Sequence, residues 1–237
     1  MYTSAIIPAA GFGKRMGGGV NKQFLSLHGR PIIICTLEQF QLCDAVDEII
    51  ISTQREYFSQ IEILTKDFHI TKVSHIVEGG RRRQDSVANA LPSLNPAADI
   101  VIVHDAVRPF ISRRLIVESI ECAKEHQAAV VAVPVKDTIK LSESGIVSLT
   151  EKKVVVRTLD RSSLWITQTP QAFQKGLLIR AYDTARQEGI EATDDASLVE
   201  RLGVHPEIIE GAYENIKITT PDDLDVAEII AKRFKNS

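Results

Sequence analysis

Short runs of apolar, β-branched residues recur along this chain, and segments with helical spacing stand between them. The runs lie at residues 5–8, 48–53, 73–77, 100–104, 129–135 and 207–210. Most carry Ile and Val at successive positions instead of alternating them with polar residues, the pattern of strands covered on both faces. Helical spacing falls at 31–42, 84–94, 113–126 and 176–188. A last helix is the best marked: Thr220 can cap it, Pro221 suits its first position, and Asp222 and Asp223 favour its positive end. Ile229, Ile230 and Phe234 then supply its apolar face. Strand–helix alternation of this kind predicts a Rossmann-like α/β fold, a mostly parallel twisted sheet flanked by helices.

One region breaks the rhythm. Residues 138–156 read as two β-like stretches around the turn signal Glu143-Ser144-Gly145, so a hairpin projecting from the main sheet is expected. Neither a repeat nor a linker interrupts the chain, and the expectation is a single domain over 1–237 with an arm at about 138–157. Length permits that, since 237 residues can enclose a well-developed core. A formal net charge of -3 argues against a nucleic-acid binder, which needs a basic excess along a phosphate backbone. A small anionic ligand needs only a few placed cations and stays open. Three scattered cysteines, Cys35, Cys43 and Cys122, fit neither a zinc site nor a disulfide framework. No apolar run approaches membrane-spanning length, and no basic segment precedes a long apolar stretch at the start. These readings point to a cytoplasmic protein that contacts neither membrane nor nucleic acid.

The first strand runs straight into Pro8-Ala9-Ala10-Gly11-Phe12-Gly13-Lys14-Arg15-Met16. The loop after the first strand of a doubly wound sheet sits at the carboxyl edge, where ligands bind. Small residues and two glycines let backbone N–H groups approach a phosphate or a base. A Walker A loop is excluded because Arg15 follows Gly13-Lys14 where Ser or Thr is required. A dinucleotide fingerprint is excluded because Met16 stands where a third glycine would be. What remains is a glycine loop followed by Arg15 and Lys22, two cations able to neutralise a triphosphate; the alternative is a tight turn with solvated cations.

Other polar clusters also sit where apolar runs end. Asp105, in His104-Asp105-Ala106-Val107-Arg108-Pro109, can hold a substrate hydroxyl or a hydrated magnesium ion, or can simply pair with Arg108. Gly79-Gly80-Arg81-Arg82-Arg83-Gln84-Asp85-Ser86 opens a helix, a setting for an anion or a polar base edge, with Arg81 and Arg82 read as a solvated basic turn. Lys136-Asp137-Thr138, Asp160-Arg161 and the segment from Glu214 to Thr219 are weaker singly. Their shared place at strand ends favours one common site. The six histidines show no HxxxH spacing, and no GxSxG elbow is present, so nucleophilic and metal-hydrolase chemistry is disfavoured.

The ordered series closely resembles the 2-C-methyl-D-erythritol 4-phosphate cytidylyltransferase family of the non-mevalonate isoprenoid pathway. It comprises the loop from Pro8 to Met16, Lys22-Gln23, Gly79-Gly80, Arg83-Gln84-Asp85-Ser86-Val87, His104 to Pro109, Asp137-Thr138, Asp160-Arg161, Thr169-Pro170-Gln171, Thr193-Asp194-Asp195-Ala196-Ser197 and Asn215-Ile216-Lys217. The resemblance covers nearly the whole chain. It implies that CTP and a sugar-alcohol phosphate yield 4-diphosphocytidyl-2-C-methyl-D-erythritol and pyrophosphate. It also implies Mg2+ as cofactor and a homodimer embraced by the arm. By family position, Pro8, Ala9, Ala10, Gly11, Gly13, Gly79, Gly80, Arg83 and Ser86 surround the nucleotide. Arg15, Lys22 and Lys217 contact the triphosphate, and Asp105, Ala106, Arg108, Thr138, Arg161 and Thr193 hold the sugar phosphate. Arg15, Lys22, Arg161 and Lys217 carry the transfer, with Thr138 and Arg161 reaching across the dimer. Magnesium is held mainly by the triphosphate, with Asp105 as a further candidate ligand.

Two departures stand out: Asn21 replaces a proline frequent in relatives, and Arg81 occupies a position acidic in some of them. The rival resemblance is to ribitol 5-phosphate-type cytidylyltransferases, which share the segments around Asp105 and Asn215 but begin the loop with leucine-alanine-glycine-glycine. A non-catalytic nucleotide-binding regulator on the same fold is the reading from another class.

Overall fold

The computed structural model describes residues 1–11, 21–142 and 154–235. In chain order the elements begin with β1 (Tyr2–Pro8), β2 (Ser26–Leu27), β3 (Arg30–Pro31), α1 (Ile32–Gln41), β4 (Glu48–Thr53) and α2 (Phe58–Asp67). Then come β5 (Val73–Glu78), α3 (Arg83–Ala90), β6 (Ala98–Val103), α4 (Arg113–His126), β7 (Ala128–Pro134), β8 (Lys140–Ser142) and β9 (Val155–Thr158). The chain closes with β10 (Trp165–Gln174), α5 (Lys175–Glu188), α6 (Asp195–Glu200), β11 (Glu207–Glu210) and α7 (Pro221–Lys235).

Seven of the strands form one sheet in the order β11-β7-β10-β6-β1-β4-β5. Every pairing is parallel except those of β10, which runs antiparallel between β6 and β7. The expected α/β fold with a mostly parallel sheet is thus observed. Alternate residues of the central strands feed two cores. Ala5, Ile7, Ile49 and Ile51 meet Ile33, Leu37 and Phe40 of α1 and Leu115 and Ile116 of α4. Ile6, Ile50, Val101 and Val103 meet Val87 of α3 and Leu177, Leu178 and Tyr182 of α5. This two-sided burial is why the strands carry no polar alternation; each buried Ile or Val contributes about 1.5–3 kcal/mol.

The final helix begins as expected: Thr220 Oγ1 accepts from the amide of Asp223, and Asp223 Oδ2 accepts from that of Thr220. Five elements differ from the expectation: the two-residue strands β2 and β3, and β10, α2 and α6. β10 carries no strand pattern in its sequence because Pro170 and several polar residues interrupt it, and its pairing with β7 shifts register between Thr167 and Gln171. Helix α2 buries only Ile61 and Thr65, and α6, six residues long, is too short for helical spacing to declare itself. The helix expected at 84–94 ends at Ala90 and tightens into a 3-10 turn over Leu91–Ser93, where Pro92 sits. The two β-like stretches of the arm are β8 and β9, paired antiparallel with Lys140 opposite Thr158. The turn expected at Glu143-Ser144-Gly145 lies outside the described residues.

Candidate active site

The carboxyl ends of β1, β4, β5 and β6 meet at one edge of the sheet. There the backbone amides of Ala9 and Gly79 donate to the carbonyls of Ser52 and Thr53, each at 2.7 Å. The carbonyl of Ala9 accepts from Gln23 Nε2 at 2.8 Å, and that of Ala10 from Gln54 Nε2 at 3.1 Å. Close approach explains both glycines after β5: a Cβ on Gly79 would overlap the Ala10 side chain, and one on Gly80 would overlap Asp85. The Gly80 amide donates to Ser86 Oγ at 3.0 Å, which in turn donates to the Arg82 carbonyl, so loop and helix α3 are tied together.

Two cavities open at this edge. One of about 440 Å³ is lined by Pro8 through Gly11, Lys22, Gly80, Ser86, Ala106 and Thr219 among others. The second, of about 430 Å³, is lined by Arg108, Thr167 through Thr169, Gln171, Thr193, Asp194 and Ser197 among others. Arg83, Asp105 and Lys217 line both, so they form the wall between them. A larger groove of about 1040 Å³ runs between α3 and α5, but its arginines, Arg82 and Arg186, are already paired with carboxylates.

The wall is a buried charge cluster. Asp105 Oδ1 accepts from Arg83 Nε at 2.8 Å; its Oδ2 meets Lys217 Nζ at 2.8 Å and Arg108 Nε at 3.5 Å. Burial alone would raise the Asp105 pKa, but Arg83, Lys217 and Arg108 outweigh it and hold the carboxyl well below its usual range. Behind the wall, Arg83 Nη1 lies 2.8 Å from Asp195 Oδ2, and Tyr182 donates its hydroxyl to Asp195 Oδ1 at 2.5 Å. Burial would lower the Arg83 pKa, yet Asp195 and Asp105 together raise it. Arg83 Nη2 is buried and has no hydrogen-bond partner among the described residues. Lys22 Nζ donates to the Thr219 carbonyl at 2.5 Å, which places it on the segment that carries Lys217. Such a cluster, two anion-ready lobes joined by fixed cations, can bring two phosphorylated ligands together.

The IspD family, described as 2-C-methyl-D-erythritol 4-phosphate cytidylyltransferase, matches residues 3–233. The 2-C-methyl-D-erythritol 4-phosphate cytidylyltransferase of Geotalea uraniireducens (strain Rf4) is 45% identical over 98% of this chain and 97% of its own length. The chain belongs to this family of cytidylyltransferases. Solved structures agree. The 4-diphosphocytidyl-2C-methyl-D-erythritol synthase of Anaerococcus prevotii DSM 20548 superposes with a TM-score of 0.83 at 30% identity, over 98% of this chain and 96% of that one. The 2-C-methyl-D-erythritol 4-phosphate cytidylyltransferase of Thermus thermophilus gives 0.77 at 34%, over 98% and 100%.

Within this family member, Pro8, Ala9, Ala10, Gly11, Gly80, Ser86, Ala106 and Lys22 gather around the first cavity, with Gly79 packed directly behind Ala10. Arg108 and Thr193 lie at the second, and Arg83, Asp105 and Lys217 between the two. Asp105 does pair with Arg108, but more closely with Arg83 and Lys217. Arg82 is exposed and bound to Asp85 and Glu191, as a basic turn should be. Arg161 and Thr138 are exposed and line neither cavity; Arg161 Nη1 donates to the Lys136 carbonyl at 2.7 Å. Gly13 and Arg15 lie outside the described residues. Asp195, Tyr182 and Thr169 were absent from the set of individual site residues expected from sequence. The adjacent acids Asp194 and Asp195 are a readable cap signal, and Asp194 does cap α6 by accepting from Ser197 N at 3.2 Å. That Asp195 turns inward onto Arg83 follows only from the packing of α5 and α6.

Among the described residues no helix is long and apolar enough to cross a membrane.

Proposed function

We propose that this chain transfers a cytidylyl group from CTP to 2-C-methyl-D-erythritol 4-phosphate, releasing pyrophosphate. The observation that carries this reading is the shared wall: two cavities of similar size meet at Arg83, Asp105 and Lys217. The close-packed loops around Ala10, Gly79 and Gly80 suit a flat base and a triphosphate in the first cavity, with Lys22 and Lys217 beside it. The second suits the sugar phosphate, with Asp105, Arg108 and Thr193 for its hydroxyls and anionic group. A phosphate oxygen of the acceptor attacks the α-phosphorus, and the P–O bond to the leaving pyrophosphate breaks. The nucleophile is already an anion, so no strong base is needed; the task is to bring two anions within reacting distance and stabilise charge on the leaving group. Lys22 and Lys217, with Arg15 by family position, perform that task.

Asp105 does not fit as a magnesium ligand, since both its oxygens already face cations. Among the described residues no group of three or more metal-ligating side chains gathers. Magnesium belongs to this reading as a companion of the triphosphate, and no step of the protein is routed through it.

Dimerisation through the arm completes the proposal. Val154, Val155 and Val156 are all more than half exposed; successive residues of a strand face opposite ways, so both faces of this one lack cover among the described residues. Ile166 at the adjoining end of β10 is exposed too. A second copy that buries these side chains would also bring its Arg161 and Thr138 to the second cavity, which neither reaches in its own chain. The test is pyrophosphate release from purified protein given CTP, magnesium and the acceptor. Release is expected with methylerythritol phosphate, and little with ribitol 5-phosphate. A folded protein that releases none with methylerythritol phosphate refutes the reading.

A further inference from the structure

His104 is fully buried at the end of β6, its ring packed at 54° against Phe40 with centroids 5.1 Å apart. The sequence offers it no chemical role, and it touches neither cavity. An apolar ring would fill the same space without the cost of burying two nitrogens. What the nitrogens touch is informative. Nε2 lies 3.1 Å from the carbonyl of Arg108, and a carbonyl only accepts, so Nε2 carries the proton. Thr169 Oγ1 accepts from the backbone amide of Asp105 at 3.1 Å and lies 3.1 Å from His104 Nδ1. With Nε2 protonated and the ring neutral, Nδ1 accepts and the threonine hydroxyl donates. The chain of donors therefore runs one way, from Asp105 N–H through Thr169 and His104 to the Arg108 carbonyl. Burial pushes the imidazole pKa down to about 4, which keeps the ring neutral near pH 7. A third segment joins through Asn215, whose Nδ2 donates to the Thr169 backbone carbonyl at 2.9 Å and whose backbone carbonyl accepts from Arg108 Nη1 at 2.7 Å.

We propose that His104 is a positioning residue: its one-way hydrogen-bond chain holds the turn from Asp105 to Arg108 so that both side chains face the second cavity. The inference rests on the reaction proposed above and assigns the acceptor's half of that site to this turn. It predicts a selective defect. Arg108, whose carbonyl His104 holds directly, lines only the second cavity, whereas Asp105 lines both and the uncharged Ala106 and Val107 line the first, so misplacing the turn should weaken the acceptor more than the nucleotide. His104→Phe should raise the KM for the sugar phosphate roughly tenfold or more, the equivalent of one lost buried hydrogen bond or two, while the KM for CTP rises several-fold less; an equal rise in both would overturn the proposal. His104→Gln, which can still offer an N–H toward the Arg108 carbonyl, should recover part of that loss. A fall in turnover with both KM values unchanged, and no recovery with Gln, would mean that His104 is merely a core residue and would overturn the proposal.

If His104→Phe fails to fold, His104→Gln and nitrogen-15 NMR of the wild-type imidazoles still decide. The spectrum should show a neutral ring protonated on Nε2 at pH 7. The opposite tautomer, or an imidazolium, contradicts the chain. Wild-type protein that releases no pyrophosphate would refute the proposed reaction instead, with the NMR result standing apart from it.

Discussion

Replacing Asp105 by Asn isolates the charge that holds the site's wall together. At an effective dielectric constant of about 20, a pair at 2.8 Å attracts by roughly 6 kcal/mol and one at 3.5 Å by about 5 kcal/mol before desolvation. Those sums are gross, because Asn also removes the cost of burying a carboxylate. The Lys217 pair is discounted further, since that side chain is 37% exposed and water takes over its solvation. Arg108 stays largely buried and loses its counter-ion, while Arg83 keeps only Asp195, so the net loss should fall near the 3–5 kcal/mol typical of a broken buried pair. For a chain of this length that lowers Tm by roughly 6–20 °C. The pH for the measurement follows from the sign of the shift. A carboxyl whose folded pKa is depressed contributes stability above its unfolded pKa and loses it as pH falls through the folded value. Thermal unfolding at pH 7.5 therefore reads the whole effect, and the gap between wild type and variant narrows in strong acid. Because Arg108 and Lys217 are left without their anion and Arg83 with Asp195 alone, added pyrophosphate should raise the variant's Tm by more than it raises that of the wild type. A Tm within about 2 °C of wild type, or equal responses to pyrophosphate, would refute the reasoning.

Four further outcomes are expected. Gly79→Ala drives a Cβ into Ala10 and should cost about 1–3 kcal/mol while raising the KM for CTP, checked by urea unfolding and initial rates. Lys22→Ala should lower turnover by roughly two orders of magnitude, as for other lost transition-state donors; near wild-type turnover would remove it from the mechanism. The buried His104, with a folded pKa of about 4 against an ordinary 6.5, binds fewer protons folded than unfolded, so stability should fall as pH drops through that window. The wild type should lose up to about 3 kcal/mol there that His104→Gln does not lose, measured by urea unfolding at pH 7 and 4.5. Mixing Arg161→Ala and Lys217→Ala chains should restore roughly a quarter of wild-type activity if Arg161 acts across a two-fold dimer, whereas no recovery would place both residues in one chain's site.

Much of this protein is legible in its amino-acid order. The Ile and Val runs at 48–53 and 100–104 announce strands buried on both faces, because runs of successive apolar residues too short for a helix suit no other environment. The glycines after β5 are required by Ala10, far away in the chain, as well as by nearby Asp85, whereas the loop after β1 marks the ligand edge by its local run of small residues. Thr220, Pro221 and Asp223 likewise define the start of α7 locally. What remained hidden depends on contacts between residues far apart in the chain. β10 reads as an irregular polar stretch, and only its insertion between β6 and β7 brings Thr169 beside Asp105. Asp195 reads as a helix-cap neighbour, and only the packing of α6 against α5 turns it toward Arg83 and Tyr182. Local patterns, set by a few neighbouring residues, determined the strands, the ligand edge and the list of charged candidates. Which of those charges share a wall, and which stay out on the arm, was decided by tertiary packing, because ion pairing depends on distances that sequence spacing does not encode.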